Sequence, residues 1–200
     1  MADGPRYSVP FRRRREGKTD YKLRRGLIRS GRPRAVVRVT NQYVYVQVVE
    51  AGATGDFVRA SASSRELGKA GWKGGSGNIP SAYLTGILAG RRALARGVKE
   101  AILDIGLRPS TKGSKVYAAL KGLAESGLKV PYSPENIPLD ERIGGKHVAE
   151  YAKNLLGGEA ELYKKRFSGY LRKGLKPEEL ASHFAQVKQT VQSIPVEVAA

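Results

Sequence analysis

The segment from Phe11 to Arg34 carries the densest positive charge in the chain and begins with four consecutive arginines, Arg12 to Arg15. Residues 1–34 hold 12 basic and 3 acidic side chains, so half of the formal net charge of +18 lies here. Charges packed this closely cannot be buried, so the segment alone is expected to be an extended, mobile arm. Pairing with a polyanion releases condensed counterions. Binding to a nucleic acid is therefore the favoured role of this segment, and the alternatives are a solvated tail or a localisation signal.

The rest of the composition narrows the class of protein. Residues 35–64 have no net charge, whereas residues 65–100 and 101–200 carry +5 and +4, so basic charge surrounds a neutral core. This balance is typical of a polyanion binder rather than a metabolic enzyme. The chain lacks cysteine, which fits a reducing cytosol. Its two histidines lack the spacing of metal ligands, so we expect no metal site. We also expect no cofactor and no small-molecule substrate. No apolar run approaches about 18 residues, so we expect no membrane contact.

Strand patterns follow the arm. Residues 35–40 and 43–49 are rich in β-branched and aromatic side chains, and three alternating valines of the second run should face the core. Asn41 and Gln42 between the runs predict a hairpin turn in which Asn41 tolerates a positive φ. A third strand is predicted over residues 56–62 after a short turn, so the three strands should form an antiparallel meander.

A helix is predicted to begin near Ser81, or at Asn78 with Pro80 in its first turn, because apolar residues then recur at helical spacing. Gly86 and Gly90 weaken this helix locally, which indicates close packing against a neighbouring element.

The apolar run 101–105 predicts a buried strand. Because it is reached through a helix, it should pair in parallel within the same sheet. A second helix is predicted from Ser114 to Gly127. The fold class is therefore α/β, with a three-stranded antiparallel meander followed by helix-strand-helix in one mixed layered sheet. The predicted domains are a basic N-terminal arm (1–33), an α/β domain (34–130), and a proline-rich linker with a helical C-terminal extension (131–200).

The C-terminal extension is predicted to contain three short amphipathic helices. Helices this short need a partner surface, which is either the α/β domain or another macromolecule.

The glycine-rich stretch 68–80, GKAGWKGGSGNIP, contains five glycines and the only tryptophan, Trp72, between Lys69 and Lys73. Glycine lets a backbone approach a ligand closely and offers N–H groups to phosphate. The spacing matches neither a nucleotide-binding loop nor a dinucleotide fingerprint. A plain flexible loop is the alternative, but the Lys-Trp-Lys run favours contact with RNA.

The meander-then-helix order also suggests a nuclease, since such folds place clustered carboxylates around metal ions. Asp56 begins a predicted strand and Asp104 lies inside another, but nothing in the sequence brings the two together. We therefore expect no catalytic residue and interpret the chain as a non-enzyme.

Several ordered blocks resemble one known family: TDY at 19–21, PRAVVRVTN at 33–41, NIPSAYLTGILAGRRAL at 78–94, HVAEYAKNLL at 147–156 and YKKRFSGYLRKGLKPEEL at 163–180. They are similar to the universal large-subunit ribosomal protein family that binds 5S rRNA, number eighteen in the large-subunit series, in its archaeal and eukaryotic form. The eukaryotic form continues into a longer basic C-terminus, whereas this sequence ends at IPVEVAA.

The resemblance implies a non-catalytic RNA-binding protein of the central protuberance, in the cytoplasmic large ribosomal subunit, that helps attach 5S rRNA to the large-subunit rRNA. It also implies neighbouring ribosomal proteins as partners, including the other 5S-binding protein, number five in the series. Contacts would come from the arm, the hairpin face and the glycine-rich loop.

The basic, aromatic and polar residues of these three regions are the candidate RNA-binding residues. Most would neutralise phosphates, the aromatic ones would stack on unpaired bases, and Arg38, Thr40 and Asn41 would bond sugars or bases. The candidates are Arg12, Arg13, Arg14, Arg15, Lys18, Tyr21, Lys22, Arg24, Arg25, Arg29, Arg32, Arg34, Arg38, Thr40, Asn41, Lys69, Trp72 and Lys73. Two alternatives stay open: a general architectural nucleic-acid-binding protein, and a metal-dependent nuclease that uses Asp56 or Asp104.

Overall fold

The computed structural model describes residues 4–194, so the first three residues of the predicted arm and the last six of the predicted extension lie outside the described residues. The strands are β1 (Arg34–Val39), β2 (Val44–Ala51), β3 (Asp56–Ser63) and β4 (Ile102–Asp104). The helices are α1 (Arg12–Arg15), α2 (Tyr21–Ile28), α3 (Ile79–Ala95), α4 (Lys115–Glu125), α5 (Asp140–Ile143), α6 (Lys146–Gly158), α7 (Ala160–Arg166), α8 (Ser168–Arg172) and α9 (Leu180–Ser193). Short 3-10 helices cover Glu66–Gly68, Pro134–Asn136 and Pro177–Glu179.

The four strands form one mixed sheet in the order β3-β2-β1-β4. β1 and β3 both pair antiparallel with β2, and β4 pairs parallel with β1, so the predicted fold class is confirmed. β3 contains a bulge: Val48 pairs with Ala60 and Val49 pairs with Val58, which leaves Arg59 with no residue opposite it.

The predicted hairpin turn between β1 and β2 is confirmed. Thr40 N donates to Tyr43 O at 2.8 Å, and Thr40 Oγ1 accepts from Tyr43 N at 2.9 Å. Asn41 would tolerate a positive φ but does not adopt one, since glycines account for every positive φ between residues 4 and 194. The backbone and the side chain of Thr40 therefore both close this turn.

One face of the sheet carries the core. Val37, Val44, Val46 and Val48 have no exposed surface, so the alternating valines face inward as predicted. α3 and α4 cover this face. Asn78 caps α3 by accepting from Ser81 N at 2.9 Å, which confirms the predicted helix start at Asn78.

α3 and α4 cross at glycines. A Cβ atom on Gly86 would overlap the carbonyl group of Ala119, and one on Gly122 would overlap the carbonyl group of Tyr83. Since only hydrogen fits at these positions, the close packing predicted around Gly86 is confirmed.

Arg92 of α3 and Arg96, the residue that follows α3, reach the edge strand β3. Arg92 Nη1 donates to Ser61 O at 2.6 Å, and Arg96 Nη1 donates to Arg59 O. Arg92 also pairs with Glu66 at 2.8 Å. This part of the basic stripe on α3 therefore bonds to the protein's own backbone and to a carboxylate.

The arm is folded rather than extended, so that prediction is wrong. Asp20 caps α2 by accepting from Lys22 N at 3.0 Å and Leu23 N at 3.2 Å. Glu16 pairs with Arg12 at 3.6 Å and with Lys18 at 3.0 Å. These two carboxylates reduce the repulsion enough for short helices to form in a segment whose cations still face solvent.

The C-terminal helices pack on the α/β domain, which is one of the two partner surfaces expected for them. Leu180, Phe184, Val187 and Val191 of α9 are buried in the same hydrophobic cluster as α3. α6 to α8 enclose a second, smaller cluster formed by Ala152, Leu155, Tyr163 and Phe167. Among residues 4–194, no helix is both long enough and apolar enough to cross a membrane.

Candidate nucleic-acid interface

The outer face of the sheet, opposite the core, is where the arm lies. Because side chains alternate along a strand, Val36 and Arg38 of β1 and Gln47 of β2 point away from the core. Together with Lys18 and Leu23 of the arm they line a cleft of about 220 Å³. The arm and this outer face therefore form one continuous surface.

A chain of ion pairs joins the arm to the sheet beneath this surface. Arg24 Nη2 lies 3.0 Å from Asp56 Oδ1, and Arg34 Nη2 lies 2.6 Å from Asp56 Oδ2. Arg34 Nη1 lies 2.8 Å from Asp104 Oδ2, and Arg38 Nη2 lies 3.0 Å from Asp104 Oδ1. The chain thus runs from α2 through β3 and β1 to β4.

The parallel pairing of β4 with β1 places Asp104 between Arg34 and Arg38. Val36 is the register partner of Asp104, so Arg34 and Arg38 flank the carboxylate on the same face of β1. Burial by itself would raise the pKa of Asp104, but the charge and hydrogen bond of Arg38 and the bonds from Gly106 N and Arg34 outweigh it. The pKa of Asp104 is therefore lowered and the carboxylate stays charged at neutral pH.

The two carboxylates that a nuclease would need are thus bonded to guanidinium groups. Asp56 pairs with two arginines and Asp104 with two. Nowhere in the described part of the chain do three or more His, Cys, Asp or Glu side chains form a group that could hold a metal ion. This arrangement argues against the nuclease alternative.

The arm presents its cations outward. Among residues 4–194, no carboxylate lies within 4.0 Å of the side-chain nitrogens of Arg13, Arg15, Lys22, Arg25 or Arg29, and all five residues are exposed. A second set of arm candidates forms pairs of 3.0–3.7 Å that are open to solvent: Arg12, Arg14, Lys18 and Arg32. Exposed pairs of this kind contribute little to stability, so a phosphate readily replaces the carboxylate. Nearly the whole predicted arm set is therefore available to a polyanion.

Aromatic side chains border the same surface. Tyr21 is 43% exposed and meets Phe11, 64% exposed, edge to face with ring centroids 6.0 Å apart. Tyr45 is exposed on the outer face of β2. Our candidate set omitted Phe11 and Tyr45, although the place of Phe11 directly before four arginines would have indicated exposure.

The hairpin turn brings further candidates next to the glycine-rich loop. Thr40 and Asn41 are exposed at the end of β1. A Cβ atom on Gly77 would lie 2.9 Å from Asn41 O, so the loop passes directly against the turn. Lys69 and Lys73 are exposed on that loop.

Arg34 and Trp72 lie inside the protein. Arg34 is 3% exposed and pairs with two carboxylates. Trp72 is 4% exposed, donates from Nε1 to Gly75 O at 3.1 Å and stacks on His183 with ring centroids 5.3 Å apart. Both have intramolecular partners, so we leave them out of the interface proposed below.

The chain is similar to known proteins over nearly its whole length. The family model described as "Ribosomal large subunit proteins 60S L5, and 50S L18" matches residues 5–101 and 95–133. A protein of Aeropyrum pernix is 53% identical over 96% of this chain and 90% of its own length. Proteins of Methanothermobacter thermautotrophicus and Thermofilum pendens are 50% and 53% identical over 96% of this chain, and 98% of each is covered. All three relatives are named large ribosomal subunit protein uL18.

Proposed function

The chain belongs to the large-subunit ribosomal protein family that includes 60S L5 and 50S L18, and from that membership we propose that it binds 5S rRNA. As a member of this family it is a non-enzymatic constituent of the large ribosomal subunit, with rRNA and ribosomal proteins as its partners. The finer proposal is that it helps attach 5S rRNA to the large-subunit rRNA in the central protuberance.

The observation that carries this proposal is the surface formed by the arm and the outer face of the sheet. Five arm cations there lack any carboxylate partner among residues 4–194. Exposed aromatic rings, including those of Tyr21 and Tyr45, lie beside them. Cations that neutralise phosphates, next to rings that stack on unpaired bases, form the combination that single-stranded and looped RNA requires.

The ion-pair chain supports the proposal because it positions the arm. Arg24 of α2 is bonded to Asp56, and Asp56 is bonded to the buried Arg34. An arm that already lies on the sheet loses less conformational entropy when RNA binds.

The proposal extends to neighbouring ribosomal proteins, including the other 5S-binding protein, number five in the series. Tyr151 and Leu156 of α6 are 46% and 58% exposed and offer apolar surface for such contacts.

The decisive experiment compares binding to 5S rRNA with binding to an unrelated RNA of equal length, across a salt series from about 50 to 200 mM. We expect the full-length chain to prefer 5S rRNA by roughly a hundredfold. An arm variant, R13Q/R15Q/R25Q/R29Q, should weaken binding to both RNAs. Since each lost phosphate contact reduces the slope of log K against log salt by about 0.7–0.9, the slope should fall by about 3.

A control variant, called the distal control variant, K99Q/K112Q/K129Q/R142Q, changes the net charge by the same amount at exposed positions outside the arm. It should leave both the slope and the preference nearly unchanged. Equal affinity of the full-length chain for the two RNAs would contradict the proposal and leave a general architectural nucleic-acid-binding protein.

A further inference from the structure

A second cationic surface lies on the C-terminal helices. Residues 162–177 contain six basic and no acidic side chains. All six residues are exposed, and none has a carboxylate within 4.0 Å in the part of the chain that the structure describes. We name them the α7–α8 cluster: Lys164, Lys165, Arg166, Arg172, Lys173 and Lys176.

Packed aromatic side chains lie beneath this cluster. Tyr163 and Phe167 are buried with ring centroids 5.4 Å apart, and Phe167 meets Tyr170 at 5.9 Å. Burial and the neighbouring carboxylate of Glu178 raise the pKa of Tyr163 to about 12. The cations therefore stand on a packed platform of aromatic side chains.

The platform is attached to the glycine-rich loop. Lys173 Nζ donates to Gly74 O at 3.3 Å, and Asn78 Nδ2 lies 3.5 Å from Tyr170 Oη. Lys73 N donates to His183 Nε2 of α9 at 3.1 Å. These contacts join residues about a hundred positions apart in sequence, so the exposed side chains of Lys69 and Lys73 extend the α7–α8 cluster into one composite surface.

This composite surface is separate from the arm. The arm lies on the outer face of the sheet, where Lys18 and Leu23 share a cleft with Val36 and Gln47. α7 and α8 instead pack on α6 and beside the start of α3, on the helical side of the molecule. The two surfaces are therefore built on different elements of the fold.

We infer that the α7–α8 cluster, together with Lys69 and Lys73, binds the phosphate backbone of a second RNA segment. The inference rests on the proposed function, because a protein that joins two RNAs needs two separate RNA contacts. RNA is favoured over an acidic protein since a dense set of cations gains most from the regular line of phosphates whose counterions it releases. Glycines of the adjacent loop also leave room for a close backbone approach.

The test uses a cluster variant, K164Q/K165Q/R166Q/R172Q, in the full-length chain. It removes four exposed cations but keeps Lys173, which bonds to the loop. The probe is an RNA duplex of unrelated sequence, about 40 base pairs long, which offers phosphates to both surfaces. Binding is measured across the same salt series beside the arm variant, the distal control variant and a combined arm-and-cluster variant.

We expect the cluster variant to reduce the slope of log K against log salt by about 3, as four lost phosphate contacts require. The combined variant should have a lower slope than the arm variant by the same amount, because the cluster is a cationic surface that the arm variant leaves intact. Unchanged emission of Trp72 would verify that the loop and α9 remain packed in each variant.

A slope for the cluster variant equal to that of the distal control would overturn the inference and point to an acidic protein as the partner of this surface. This outcome differs from failure of the proposed function, which is decided by the preference of the full-length chain for 5S rRNA.

Discussion

Replacing Arg34 with methionine should destabilise the protein strongly, because it leaves buried negative charge behind. The side chains of Arg34 and Asp104 are 4% and 6% exposed, and their nearest charged atoms are 2.8 Å apart. Methionine has a similar length but cannot pair with a carboxylate. Asp104 would keep only Arg38, and Asp56 would keep only Arg24.

The expected loss in the free energy of unfolding follows from burial. Removing one partner of a buried pair costs about 3–5 kcal/mol. Because Arg38 still pairs with Asp104, we expect the lower end, about 3 kcal/mol. For a chain of this size that corresponds to a decrease in Tm of roughly 6–12 °C.

The measurement is urea unfolding at pH 7, with Arg59→Met as the matched control. Arg59 also forms a short pair, 2.7 Å from Glu50, but the two side chains are 54% and 35% exposed. Solvent screens such a pair, so its loss should cost less than about 1 kcal/mol.

The pH dependence provides an independent check. The folded pKa of Asp104 lies below its ordinary value of 3.8, so this group stabilises the native protein above about pH 4 and the contribution is lost as pH falls through the folded pKa. In the Arg34→Met variant the pKa of Asp104 should rise. The difference from the unmodified protein should therefore be largest at neutral pH and shrink below about pH 4. Equal losses for Arg34→Met and Arg59→Met at pH 7 would refute this reasoning.

Two further predictions concern the helical side of the molecule. Gly122→Ala should lower the free energy of unfolding by about 2–3 kcal/mol, since its Cβ would overlap the carbonyl group of Tyr83. The control Gly26→Ala, in open space within α2, should raise the free energy of unfolding by up to about 1 kcal/mol. Similar effects of the two substitutions in urea unfolding would contradict this. Burial and the charge of Lys73 lower the pKa of His183, so the emission of Trp72, which stacks on it, should change with a midpoint below pH 6.5. His183→Gln should abolish that transition, and its persistence would exclude His183 as the cause.

The sheet could be predicted from the sequence because its signals are local. Alternating valines mark the inward face of β2. Asn78 marks the start of α3, because its capping bond goes to a residue only three positions further on. The parallel pairing of β4 followed from a general rule about strands connected through a helix.

The roles of Arg34 and Trp72 could not be predicted, because each depends on a distant part of the chain. Arg34 is buried only because Asp56 and Asp104, 22 and 70 residues away, converge on it. Trp72 is covered by α9, and its neighbour Lys73 bonds to a histidine 110 residues further on. In the sequence both residues stand within basic stretches, where exposure is the usual expectation.

The sequence predicts the exposed charge of the arm but not its shape. Repulsion among arginines predicts an extended segment, yet Glu16 and Asp20 stand where they pair with basic side chains and cap a helix. Two carboxylates at the right spacing outweighed a general rule about net charge.

The arginines that reach β3 from α3 also bear on self-association. Sheets join edge to edge when a strand offers unpaired backbone groups, and on β3 the carbonyl groups of Ser61 and Arg59 already accept from Arg92 and Arg96. The opposite edge, β4, is only three residues long. Both edges of the sheet are therefore partly blocked in the described part of the chain, which disfavours edge-to-edge association with a second copy.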